Sequence, residues 1–162
     1  LLVRPILVSD ADGIERMFGR LSRRSIYFRF FSPIARIPPT MLARLTDVDH
    51  LRRDALVALE GDEIVAVARY DAARTEDGAE TRDAEIAVTV VDSWQRRGLG
   101  RRLLQRLEAL AERRGYDTFV ARMLPDNRAG MLRVRRRLID LATLAMCWWV
   151  MLAMAVLIPN EP

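Results

Sequence analysis

The segment from Val88 to Leu104, Val-Thr-Val-Val-Asp-Ser-Trp-Gln-Arg-Arg-Gly-Leu-Gly-Arg-Arg-Leu-Leu, constrains this chain more than any other. An apolar, β-branched run passes through a turn holding two glycines and enters a leucine stripe of helical spacing. That order puts a helix N-terminus, with its free N–H groups and positive dipole end, at the end of a strand, an arrangement that suits a phosphate. Gly98 and Gly100 let a ligand approach the backbone, and Arg96, Arg97, Arg101 and Arg102 supply charge for phosphate oxygens. Two common phosphate loops are excluded. A P-loop requires a lysine, and all 26 basic residues are arginine; a dinucleotide fingerprint requires a third glycine where Leu103 stands. The same lack of lysine excludes a Schiff-base or general-base lysine.

The rest of the chain supplies more strands and helices. Residues 3–8 read as a strand. Ser9 and Asp12 have the spacing of a capping pair ahead of a helix that carries Ile14, Met17, Phe18 and Leu21 on one face. Ser22 is placed to cap a second helix with Ile26, Tyr27, Phe30 and Phe31. A proline-punctuated loop over 32–39 follows, and Thr40 is placed to cap a short helix using Met41, Leu42 and Leu45. Residues 55–59 and 64–70 form a hairpin about Glu60-Gly61-Asp62-Glu63. Residues 72–82 read as a polar loop and 84–91 as a strand in which Ile86, Val88 and Val90 alternate with Glu85, Ala87 and Thr89. A helix over 101–114 buries Leu103, Leu104, Leu107, Leu110 and Ala111 and stops at Gly115. A strand over 118–123 and a helix over 127–138 complete the set. The element order gives the fold class α/β (α+β), with a mixed sheet flanked by helices.

A chain of 162 residues suits one domain, and 51% apolar against 30% charged residues describes a globular body. One cysteine, Cys147, excludes a disulfide within the chain and a CxxC zinc site, and one histidine, His50, excludes a His-rich metal site; no metal is expected. His50 reads as a surface residue. The pI of about 10.1 raises nucleic acid as a partner, but acids are interspersed with the arginines over 1–140 and aromatics are not interleaved with them, which argues against it. Charge is unevenly placed. Residues 1–140 hold all the basic side chains and every acidic one but Glu161, while 141–158 contain Thr143 as their one clearly polar side chain. The reading is a charged body over 1–140 and an apolar tail over 141–162. No basic leader or apolar signal core opens the chain, which gives a cytoplasmic expectation. The absence of an initiator Met leaves open that it is a piece of a longer polypeptide.

Gln95-Arg96-Arg97-Gly98-Leu99-Gly100 resembles the acetyl-CoA pyrophosphate loop, Q/R-x-x-G-x-G/A, of the GNAT superfamily of N-acetyltransferases. The runs RPILVSDADGIERMFGRLS, SIYFRFFSP, LARLTDVDH, ALVALEGDEIVAVARY and LPDNRAGML are similar to the GNAT domain of bacterial protein-lysine acetyltransferases of the Pat type, over roughly residues 4–138. The resemblance implies acetyl-CoA as co-substrate and transfer of the acetyl group to an amine, a protein lysine, by direct attack. It places pantetheine against the end of the 84–91 strand, with backbone groups of Val90 and Val91 in contact and one N–H polarising the thioester carbonyl. It places the pyrophosphate on the N–H groups of Arg96, Arg97, Gly98, Leu99, Gly100 and Arg101, with Gln95 opening the CoA-binding loop and Asn127 as a further CoA contact or an ordinary helix cap. It makes Glu85, in Asp-Ala-Glu-Ile-Ala-Val, the base that takes the proton of the attacking ammonium.

Three departures from the family pattern stand out. The 127–138 helix has no tyrosine to protonate the thiolate, leaving the general acid unassigned. Gly130 is an extra residue in the first turn of that helix. The family's closing β-hairpin is replaced by residues 141–158, which have no turn signal. For that tail a membrane-spanning helix, a buried or oligomer-contacting element, and a divergent end all stay open. Arg133, Arg135, Arg136 and Arg137 would hold its start on the cytoplasmic side or against anionic lipid. The alternative function is a non-catalytic acyl-CoA-binding sensor.

Overall fold

The fold grows around a hairpin whose turn needs a positive φ. Gly61, at φ +59°, closes the turn between β2 (Arg53–Glu60) and β3 (Glu63–Arg74). The computed structural model describes residues 1–74, 78, 80–122, 124 and 127. Five strands form one sheet in chain order: β1 (Leu2–Pro5), β2, β3, β4 (Glu80–Val90) and β5 (Thr118–Val120). The first four are antiparallel neighbours, and β5 runs parallel to β4. The sheet is therefore mixed, as the element order predicts, and mostly antiparallel, as the GNAT resemblance implies.

Helices α1 (Ala11–Gly19), α2 (Arg23–Phe30) and α3 (Pro39–Thr46) cover the face that carries Val67, Arg69, Ala87 and Thr89. Ile14, Met17 and Phe18 of α1 are buried there. Helix α4 (Leu99–Arg113) covers the other face and buries Leu103, Leu104, Leu107 and Ala111. Leu107 is fully buried, so truncation to Ala is expected to cost about 2–5 kcal/mol. The Tyr70 ring meets Tyr116, just beyond α4, with centroids 5.5 Å apart. Its hydroxyl donates to the Leu51 carbonyl at 2.9 Å. Gly115, at φ +94°, ends α4 as its sequence position predicts.

Several boundaries differ from the sequence reading. The first strand ends at Pro5 rather than Val8, because Asp10 accepts the Leu7 N–H at 2.8 Å and turns the chain into a single 3-10 turn. Asp10, not Asp12, is thus the reach-back carboxylate, and Ser9 does not cap α1. Asp10 also takes a two-pronged bond from Arg4, at 2.7 Å on each oxygen. Ser22 does cap α2, its hydroxyl accepting from the Ser25 N–H at 3.2 Å. Helix α3 starts with Pro39 in its first turn and Pro38 at the cap, so Thr40 lies inside the helix. The expected loop over 72–82 is mostly strand: Ala72 pairs with Ala84, and Arg74 with Glu80. Helix α4 begins at Leu99, two residues before Arg101, and β5 stops at Val120, short of Met123. The helix over 127–138, apart from Asn127 itself, and the tail over 141–162 lie outside the described residues, as does the 140/141 boundary. Among the described residues, no helix is long and apolar enough to cross a membrane.

Candidate active site

β4 and β5 stop pairing partway along β4. Their parallel register runs Asp83–Thr118, Ala84–Phe119 and Glu85–Val120, while β4 continues to Val90. Among the described residues, no strand pairs with this edge of β4 beyond Glu85, so backbone groups there can meet an incoming ligand. Which groups these are follows from the other edge. The Val91 N–H donates to the Val65 carbonyl of β3 at 3.0 Å. In an antiparallel ladder the direction alternates residue by residue, so the Val90 N–H points away from β3, to the open side. Of the two sequence-predicted residues, Val90 therefore has the available N–H. The Val91 N–H is already taken by β3, so Val90 is the one of the two whose N–H is open to a ligand.

The end of this edge leads into the loop that starts α4. Gly98 caps the helix at φ +80°, a conformation that L residues with a Cβ rarely adopt. No other chain atom lies within 4 Å of where its Cβ would be, so backbone conformation and not crowding calls for glycine. The first helical bond runs from the Arg102 N–H to the Gly98 carbonyl at 3.1 Å. The N–H groups of Leu99, Gly100 and Arg101 thus have no partner within the helix and converge at its positive end. Arg96, at φ +60°, is a second left-handed residue in the loop. Arg96, Arg97, Arg101 and Arg102 are exposed, and the Arg97 guanidinium rests 5.0 Å from the Trp94 ring centre. Leu99 and Gly100 are buried.

The Gln95 side chain ties the loop to its surroundings. Its side-chain Nε2 donates to the Val90 carbonyl and to Ser25 Oγ, both at 3.0 Å. Asp92 joins the same network. Its carboxylate accepts from the Ser22 N–H at 2.9 Å, from Ser22 Oγ at 2.8 Å and from Ser25 Oγ at 3.0 Å. These bonds outweigh its partial burial and hold the Asp92 carboxyl below the usual carboxylate range. The loop is thereby tied to the start of α2 and to the end of β4. No local pattern signals this link, because it joins residues about 70 positions apart.

Glu85 projects from the last β4 position that pairs with β5, on the same face as Ala87 and Thr89. Its side chain is about 42% exposed and lies 3.6 Å from Nε of Arg122, just past β5. Asp71, its cross-strand neighbour, is held by Arg69 through Nε at 3.0 Å and Nη2 at 3.2 Å. Asn127 is the last described residue, its N–H bonded to the Leu124 carbonyl at 2.9 Å. His50 lies away from this cluster, with Nδ1 2.8 Å from the buried Asp54 carboxylate. Among the described residues, no group of three or more His, Cys, Asp or Glu side chains could hold a metal ion.

Residues 23–132 match the model of the acetyltransferase (GNAT) family. The chain is 35% identical over 120 residues to acetyltransferase PA5475 of Pseudomonas aeruginosa, covering 72% of this chain and 62% of that protein. It is 32% identical over 138 residues to acetyltransferase Pat of Mycolicibacterium smegmatis, covering 84% of this chain and 40% of that protein. It spans, then, less than two thirds of either relative. Its fold superposes on the crystal structure of the GNAT domain of S. lividans PAT with a TM-score of 0.77 at 33% identity, covering 85% of this chain and 84% of that one. With a family match over most of its length and a left-handed glycine at the start of α4 beside the end of β4, the chain belongs to the GNAT acetyltransferase family.

Proposed function

We propose that this chain transfers an acetyl group from acetyl-CoA to an amine, with a protein lysine as acceptor. The observation that carries the reading is the end of β4–β5 pairing at Glu85–Val120, beside the open N-terminus of α4. Pantetheine would add to the free β4 edge as a strand would, and the pyrophosphate would lie on the N–H groups of Leu99, Gly100 and Arg101. The Val90 N–H would polarise the thioester carbonyl and stabilise the oxyanion as it forms. Support for acetyl-CoA comes from family membership and from a structure of the same fold, yncA of Salmonella typhimurium, solved with its cofactor acetyl-CoA. The lysine acceptor is what the resemblance to Pat-type acetyltransferases implies.

An ammonium has no lone pair to attack with, so a base must take its proton. Glu85 is the base in this reading. It stands on the strand that would hold the thioester, is reached by solvent, and is turned to the face where α2 and Arg122 border the site. Arg122 keeps a cation beside the carboxylate, a place an acceptor ammonium would share or take over. The amine nitrogen then attacks the thioester carbon, the C–S bond breaks, and the CoA thiolate leaves and takes up a proton. Water is the proton source in this reading. Acetyl-CoA binding measured by calorimetry, followed by CoA release with lysine-bearing proteins, tests the reading. Binding and release that both fail with the intact chain would refute it.

A further inference from the structure

Three arginines and two carboxylates meet on the sheet face covered by α1, α2 and α3, and they do not balance. Asp71 is held by both prongs of Arg69, and Glu85 has Arg122 at 3.6 Å. Arg29, in the last turn of α2, makes no ion pair among the described residues; its guanidinium carbon lies 5.2 Å from the Phe30 ring centre. Arg29 and Arg69 both border a cavity of about 40 Å³. Its other walls are mostly apolar, with Met17 and Phe18 from α1, Val67 from β3 and Thr89 from β4. Burial, with the Arg69 charge beside it, pushes the Arg29 guanidinium down to about 10, against the pull of Glu85 and Asp71. It stays charged at neutral pH. Arg29 is half-buried, and the two carboxylates near it are already engaged by Arg69 and Arg122, so an anion arriving at the apolar cavity would relieve an incompletely balanced charge. The volume admits roughly a carboxylate, or two or three waters.

We infer that the cavity beside Arg29 and Arg69 receives a carboxylate from the reacting molecules. This rests on the reading of the β4 edge as the acyl-transfer site, since Ala87 and Thr89 of that strand line the cavity. The carboxylate has two sources. An acidic residue next to the acceptor lysine would bring it with the amine. The far carboxylate of a dicarboxylic acyl group would bring it with the CoA ester. Planar guanidinium forks suit either.

The experiment is titration calorimetry on the full chain with two matched pairs of probes. In one arm, a blocked Gly-Glu-Lys-Glu-Gly peptide is compared with its Gln counterpart in the presence of CoA. In the other, succinyl-CoA is compared with butyryl-CoA. The expected result is at least tenfold tighter binding of the carboxylate member in one arm, and the arm that shows it names the source. Arg29→Gln should bring that ratio close to one, and Arg29→Lys should keep part of it. Arg29→Met, which fills the space with apolar volume, replaces Arg29→Gln if circular dichroism shows the latter unfolded. Equal binding within both pairs overturns the inference, as does a ratio that survives loss of the Arg29 charge. If no CoA ester binds at all, the acyl-transfer reading fails, while the peptide pair still tests the cavity.

Discussion

The Arg122 guanidinium lies 3.6 Å from a Glu85 carboxylate oxygen, across the point where β4 and β5 stop pairing. Both side chains are about 40% exposed, 39% and 42%, so an ion pair between them adds little to stability, about 0–1 kcal/mol. Position, more than stability, is the consequence of this contact. It holds a carboxylate and a cation at the mouth of the opening that pantetheine would fill.

Glu85→Gln follows directly. It removes the proton acceptor and keeps the shape. Turnover should fall by about 10²–10⁴-fold, with acetyl-CoA affinity within twofold of the parent and unfolding free energy within about 1 kcal/mol. Steady-state kinetics, calorimetry and denaturant unfolding read the three quantities. Unchanged turnover removes Glu85 from the mechanism.

Gly98 separates binding from folding. Nothing crowds its Cβ position, so Gly98→Ala should cost only the left-handed penalty, about 1–2 kcal/mol, measured by denaturant unfolding. Gly98→Glu adds a carboxylate beside the free N–H groups of α4, where it would compete with a pyrophosphate. Saturable acetyl-CoA binding should be lost, at least a hundredfold by calorimetry. Equal affinity in parent and variant would move the phosphate site elsewhere.

Asp92 couples two elements that would otherwise drift apart. Asp92→Ala leaves the Ser22 and Ser25 hydroxyls and the Ser22 N–H without this acceptor. A loss of about 1–3 kcal/mol is expected at neutral pH. Hydrogen exchange should quicken in α2 and in the loop before α4, and not in β1. Exchange that rises evenly across the chain would show that Asp92 stabilises the fold without tying these elements.

Asp10 gives a pH signature. Arg4, first by hydrogen bond, and the Leu7 N–H hold its carboxyl below the usual range, against the effect of burial. For a carboxylate so depressed, the unfolded chain takes up the proton first as pH falls. The stabilisation is full above the unfolded pKa of about 4 and is lost as pH drops through the lower folded value. Asp10→Asn should be destabilised at pH 7, and its gap to the parent should narrow below about pH 4 in thermal unfolding. A gap independent of pH would mean that packing, not charge, is lost.

What could be read from the residues was local or periodic. The leucine stripe of α4, the Gly61 turn, the Ser22 cap and the strand–glycine loop–helix order each reside in one short stretch, and each is present in the fold. The misses involve partners far apart. Pro5 ends β1 because of a carboxylate five residues on, and residues 72–74 and 80–82 are strand because each faces the other across the ladder. Gln95 carries the motif but its side chain braces Val90 and Ser25. Arg29, Arg69 and Arg122 come from three elements and share no sequence pattern, so their convergence around Glu85 and Asp71 emerges only on folding.

The central claim is acyl transfer at the free edge of β4. The most direct measurement is release of CoA thiol from acetyl-CoA by the intact chain, with acetylated product followed by mass spectrometry, across proteins, lysine peptides and small amines. Thiol release should require an acceptor, match product one for one, and disappear in Gly98→Glu. Tight acetyl-CoA binding with no thiol released over the whole panel would contradict it, and would make the chain an acyl-CoA sensor instead.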